Sequence, residues 1–101
     1  METKELQNKA NEIVNLIDKK LCTNHGTENT IFHLVEELGE LASQLNNPKL
    51  RNKQMDIKNI NEEIADISIL AMRLATLYNI DIEEAITTKI QELKKRHNLE
   101  V

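Results

Sequence analysis

Ile64-Ala65-Asp66-Ile67-Ser68-Ile69-Leu70-Ala71-Met72-Arg73-Leu74-Ala75-Thr76-Leu77 is apolar at every position except Asp66, Ser68, Arg73 and Thr76. As a helix it carries apolar side chains around most of its circumference, which calls for burial on all sides. It is too short to span a bilayer. An ionised Asp66 inside it is costly unless paired or bound to a metal. Glu63 stands three residues earlier, and on a helix that spacing puts both carboxylates on one face.

About a helix-length upstream, Glu36-Glu37-Leu38-Gly39-Glu40 repeats the arrangement. Glu37 and Glu40 project together, and Glu36, four before Glu40, borders the same face. If the two helices pack antiparallel, Glu37, Glu40, Glu63 and Asp66 converge on one cleft. That is an all-oxygen site of the kind Mg²⁺ or Mn²⁺ prefers. A single pair of glutamates is more often a solvated face. Two spaced pairs favour a site here, because one lies in an apolar helix and the other encloses Gly39, a poor helix former.

The flanking sequence supplies the remaining elements. Thr3 caps a first helix from about Lys4 to Leu21, whose stripe of Leu6, Ala10, Ile13, Val14, Ile17 and Leu21 packs into a core. Cys22-Thr23-Asn24-His25-Gly26 breaks the pattern, with Gly26 suited to end the helix and His25 reading as polar surface. A second helix, about Glu28 to Asn46, repeats Ile31, Leu34, Leu38, Leu41 and Leu45, and its other face carries His33, Glu37, Glu40 and Gln44. Pro48 disfavours helix at Asn47, so Asn46 to Met55 reads as a long connection that covers a site. Asp56 caps the third helix, Asn79 ends it in the left-handed conformation, and Asp81 with Glu84 starts a fourth, from about Ile82 to His97. The Lys94 and Lys95 charges there favour the helix C-terminus.

The 101 residues make one small domain with two Gly, one Pro, one Phe, one Tyr and no Trp, a composition that points to an all-α protein. A net charge of −4 argues against a nucleic-acid polymer as partner and fits an acidic, metal-binding cleft. Cys22 alone forms no internal disulfide, which suits a reducing cytoplasm, and Met1-Glu2-Thr3-Lys4-Glu5 has no apolar leader. No membrane association is expected. One protomer, a four-helix bundle-like unit, can hardly cover the third helix and the other stripes together, so a homodimer or a dimer-of-dimers tetramer is expected.

These residues resemble the all-α nucleoside triphosphate pyrophosphohydrolases, the MazG-like family that includes dimeric dUTPases and dCTP pyrophosphatases. The family pattern Glu-Glu-x-x-Glu followed by Glu-x-x-Asp stands here as Glu36-Glu37-Leu38-Gly39-Glu40 and Glu63-Ile64-Ala65-Asp66. The likeness continues through Tyr78-Asn79-Ile80-Asp81-Ile82-Glu83-Glu84-Ala85 into Lys89 and Arg96, and makes residues 1–101 a single MazG-like helical domain. It implies that Glu37, Glu40, Glu63 and Asp66 hold Mg²⁺, with Mn²⁺ an alternative, and that Glu36 orients water or supports the ligands, Glu36 and Glu37 being the catalytic carboxylates. It further implies that Lys89 and Arg96 meet phosphates and that Asn29 lies near the nucleotide. The dCTP-type pattern has Asn where this chain has Leu93, Tyr where it has His97, and Trp near Asn46-Asn47. These departures bear on base recognition more than on chemistry.

The expected activity is Mg²⁺-dependent hydrolysis of a nucleoside triphosphate to its monophosphate and pyrophosphate, a house-cleaning role in the nucleotide pool. The rival is a non-catalytic helical dimerisation or partner-binding module, which fits the apolar third helix and charged exterior equally well. A di-iron bundle would need Glu three residues before a His, and none of His25, His33 and His97 has one.

Overall fold

The helix boundaries follow from local chemistry at each end, and the computed structural model describes residues 1–51 and 56–100, with the side chains of 1–46 and 56–100. Four α-helices run in order: α1 (Thr3–Leu21), α2 (Thr27–Arg51), α3 (Ile57–Leu77) and α4 (Ile82–Arg96). Among the described residues there is no strand, and no helix is long and apolar enough to cross a membrane.

Asp56 caps α3 by accepting from the Asn59 N–H, and Asp81 caps α4 by accepting from the Glu83 and Glu84 N–H groups, as expected from their type. Asn79 takes the left-handed conformation at φ 55°. Its N–H and that of Ile80 then bond the Thr76 and Ala75 carbonyls at 3.0 and 2.9 Å, satisfying the open end of α3. Asn98 does the same for α4.

Three expected boundaries are corrected. Thr3 is the first helical residue of α1 and not its cap, a position held by Glu2, which makes no side-chain capping bond. Cys22, at φ 55°, ends α1, whereas Gly26 opens α2, its carbonyl accepting from the Thr30 N–H at 3.0 Å. α2 also continues through Asn47 and Pro48 to Arg51. A proline withdraws one N–H and biases its predecessor, but Lys49, Leu50 and Arg51 are good helix formers, so the helix resumes. Residues 52–55, the rest of the expected connection, lie outside the described residues.

α3 packs between α2 and α1, and α4 rests chiefly on α1. Among the described residues, the buried apolar side chains are Ala10, Val14 and Leu70. The expected burial of α3 on all sides and of the whole α1 stripe does not occur within one chain: Ile64, Leu6, Ile13, Ile17 and Leu21 stay about half-exposed. The four helices therefore do not close into a bundle, and α4 buries none of its residues. The radius of gyration is 16.4 Å, against about 13 Å for a compact domain of this length.

Two buried polar side chains hold this open arrangement. Gln7 on α1 donates from Nε2 to the Ile80 carbonyl at 2.8 Å and to Thr76 Oγ1 at 3.1 Å, while its Oε1 accepts from the Ile82 N–H at 2.9 Å. One amide thus ties α1 to the junction of α3 and α4. Arg73 on α3 donates to Asn11 and Asn15 of α1 and to the His25 carbonyl in the α1–α2 link.

Candidate metal centre

Glu40 lies against Glu63, Glu37 against Glu63 and Asp66, and His33 shares a cavity with Asp66, Ile69 and Leu70. Positions falling along α2 meet positions rising along α3, the antiparallel pairing that the spaced carboxylates anticipated. One carboxylate oxygen from each of Glu37, Glu63 and Asp66 falls within 4.8 Å of the others. Glu37 and Glu63 are half-buried and Asp66 is exposed, so the expected burial of Asp66 among apolar residues is corrected. Its carboxylate lies beside those of Glu37 and Glu63 instead of among apolar side chains.

The electrostatics record that crowding. Contact with Glu37 pushes the Glu63 carboxyl up, with partial desolvation and the Glu37 and Asp66 charges adding to it. Contact with Glu63 and its charge likewise raise Glu40, with smaller contributions from desolvation, Glu36 and Asp66. Glu37 Oε2 and Glu63 Oε2 are buried without any hydrogen-bond partner. Buried carboxylate oxygens are normally satisfied, so these two are open to a partner, and a cation could bridge them.

Beside the cluster opens a cavity of about 480 Å³ lined by Glu36, Gly39, Glu40, Ser43, Gln44 and Glu63. Gly39 has no packing reason: a Cβ added there meets nothing within 4 Å. What it does is leave the cavity wall between Glu36 and Glu40 bare. A second, mostly apolar pocket of about 200 Å³ is lined by Asp66 together with residues of α1, α2 and α3 and with His25.

The other expected site residues are not brought to the cluster. Asn29 donates to the Asn24 carbonyl at 2.6 Å and braces the α1–α2 link. Lys89 and Arg96 both pair with Glu92, at 3.1 and 2.7 Å, on the exposed side of α4. Conversely, His25 is not merely polar surface. Its Nδ1 lies 2.6 Å from Asp18 Oδ1, its Nε2 lies 2.9 Å from His33 Nδ1, and His33 Nε2 lies 3.1 Å from Glu37 Oε1. His33 four before Glu37 was the readable part of this chain. Asp18 and His25 lie across a turn whose geometry the sequence does not disclose.

A model of the MazG nucleotide pyrophosphohydrolase domain matches residues 25–100. The chain is also similar to a dATP/dGTP diphosphohydrolase of Cyanophage S-2L, with 39% identity over 61 residues, covering 60% of this chain and 48% of that one. The chain spans about half the length of this curated relative. No solved structure matches.

Proposed function

Because the chain belongs to the MazG nucleotide pyrophosphohydrolase family, we propose that it hydrolyses a nucleoside triphosphate between the α and β phosphates, releasing the monophosphate and pyrophosphate. The observation that carries this reading is the convergence of Glu37, Glu63 and Asp66 with two buried, unpartnered carboxylate oxygens. A hard divalent cation fits that donor set, and without one the carboxylates would repel a polyphosphate.

Glu37, Glu63 and Asp66 would hold Mg²⁺ or Mn²⁺, with Glu40, in contact with Glu63, completing the set. When bound, the ion supplies Lewis acidity toward phosphate oxygens and charge between the carboxylates and the substrate. Glu36 lies exposed on the wall of the adjoining cavity, where its carboxylate can accept a hydrogen bond from the attacking water and orient it. Lys89 and Arg96 serve the leaving pyrophosphate only by giving up Glu92. Both pairs are exposed, and such pairs contribute about 1 kcal/mol or less, so a phosphate displaces Glu92 readily.

The same reading includes a homo-oligomer, dimer or tetramer. The chain exposes 7970 Å², whereas a compact monomer of its mass exposes about 5,900 Å². The excess, about 2,100 Å² on one chain, is more than the roughly 800 Å² that each partner buries in a standard interface. An apolar groove of about 370 Å³ between α1 and α3, with Leu6, Ala10, Ile13, Ile69 and Met72 on its walls, belongs to that excess. A cytoplasmic nucleotide-pool role is consistent with the chemistry.

The named relative directs the first assay to dATP and dGTP, followed by the other canonical and damaged triphosphates, with Mg²⁺ and Mn²⁺. Monophosphate and pyrophosphate from at least one of them supports the proposal. Orthophosphate alone, or no product across all of them, refutes it and returns the helical interaction module as the better account.

A further inference from the structure

Glu37 is held at one oxygen and free at the other. His33, one turn earlier on α2, meets Oε1 at 3.1 Å, while Oε2 is buried with no partner. His33 is itself held through Nδ1 by His25, and His25 through its own Nδ1 by Asp18. His25 has little freedom to swing, because its backbone is committed as well. Its N–H donates to Asp18 Oδ2 at 2.8 Å, and its carbonyl accepts from Arg73 Nε at 3.0 Å and from Thr30 Oγ1 at 3.1 Å. One link residue is thus pinned by α1, α2 and α3 together.

Donor bookkeeping gives the chain a direction. An ionised carboxylate only accepts, so Asp18 takes an N–H from His25 Nδ1, and Glu37, ionised as a cation ligand must be, takes one from His33 Nε2. Toward an ionised Glu37 the ring can act only as a donor, so the 3.1 Å contact runs from His33 Nε2–H to Oε1.

We infer that His33 is a positioning residue for the cation site, fixing Oε1 of Glu37 so that the unpartnered Oε2 faces the ion, with Asp18 and His25 as its supports. The inference rests on the metal-site reading and goes beyond it, since none of Asp18, His25 and His33 is a ligand there. Groups that orient a metal ligand in this way typically change affinity when removed, with no contact to the ion themselves.

Mn²⁺ binding to the full chain, cleared of metal by chelator and followed by titration calorimetry, tests it. His33→Leu weakens Mn²⁺ binding about tenfold, whereas His33→Gln, whose amide N–H can reach the same oxygen, stays within about threefold of wild type. Asp18→Ala weakens binding in the wild-type background and adds nothing in His33→Leu, because it acts only through His33. The His33 side chain is 41% exposed, so metal-free melts of both His33 variants stay close to wild type, and the affinity change is not unfolding. Wild-type affinity in His33→Leu, equal losses in the Leu and Gln variants, or the same Asp18→Ala factor in both backgrounds would each overturn the inference. Pyrophosphate release separates it from its premise. If the chain turns over substrate while His33→Leu binds Mn²⁺ normally, only the positioning role fails; if wild type binds no Mn²⁺, both the site and the role fail.

Discussion

Asp66 has no cationic partner among the described residues, since Arg73 is committed to Asn11, Asn15 and the His25 carbonyl, and Lys89 to Glu92. Asp66→Asn therefore relieves repulsion without orphaning a cation, and in chelator the variant should melt at or above the wild-type temperature. Had Asp66 been one half of a structural ion pair, the same change would cost about 3 kcal/mol. The pH dependence has a definite sign at two places. Glu63 and Glu40 are raised in the folded chain, so the metal-free protein gains stability as pH falls through their raised values toward the ordinary carboxylate range. Urea melts in chelator should show Glu63→Gln more stable than wild type near neutrality, with the gap closing by about pH 4. At Asp18, desolvation is outweighed by hydrogen bonds from His25 and Thr23, which hold the carboxyl at about 2. Its contribution is present above the ordinary carboxylate value and lost as pH falls toward about 2, so the stability deficit of Asp18→Ala shrinks over that interval. The clustering of carboxylates was legible because helical spacing alone puts Glu37 with Glu40 and Glu63 with Asp66. Asp18 and His25 were not, because they meet through a left-handed turn at Cys22 that no periodicity announces.

At the scale of elements, two substitutions separate packing from access and charge from shape. Gly39 sits inside α2 with open space around it, so Gly39→Ala should stabilise the metal-free chain by about 1 kcal/mol through helix propensity. If the bare wall serves substrate entry, the same variant raises KM with kcat unchanged; a less stable variant would contradict the open geometry. Arg73→Leu removes the donor that joins α3 to α1 and to the α1–α2 link, taking that partner from the Asn11 and Asn15 side-chain oxygens and leaving the His25 carbonyl with Thr30 Oγ1. Denaturant melts should show a loss of about 2–4 kcal/mol. Caps were readable at Asp56, Asn79 and Asp81, where one residue's chemistry decides. The sequence reading failed at Pro48, where a local bias against helix was outweighed by the good helix formers after it.

For the whole molecule, four helices were predictable from apolar spacing, but how completely they close was not. Spacing says which faces are apolar, and it does not say whether this chain or another copy covers them. The half-exposed Ile13, Ile17 and Ile64 and an α4 with no buried residue leave surface of the size a second copy would take. Sedimentation at micromolar concentration should find a dimer or tetramer, and a stable monomer would contradict that part of the account. The phosphate-facing roles of Lys89 and Arg96 came from the resemblance alone, and within one copy both residues face Glu92 instead. The central claim is that Glu37, Glu63 and Asp66 form a cation site that hydrolyses a nucleoside triphosphate. Its most direct test is pyrophosphate release with Mg²⁺, measured side by side on wild type and Asp66→Asn with the best substrate found. The account predicts metal-dependent release by wild type and none by the folded variant; equal turnover by Asp66→Asn, or release that persists in chelator, would contradict it.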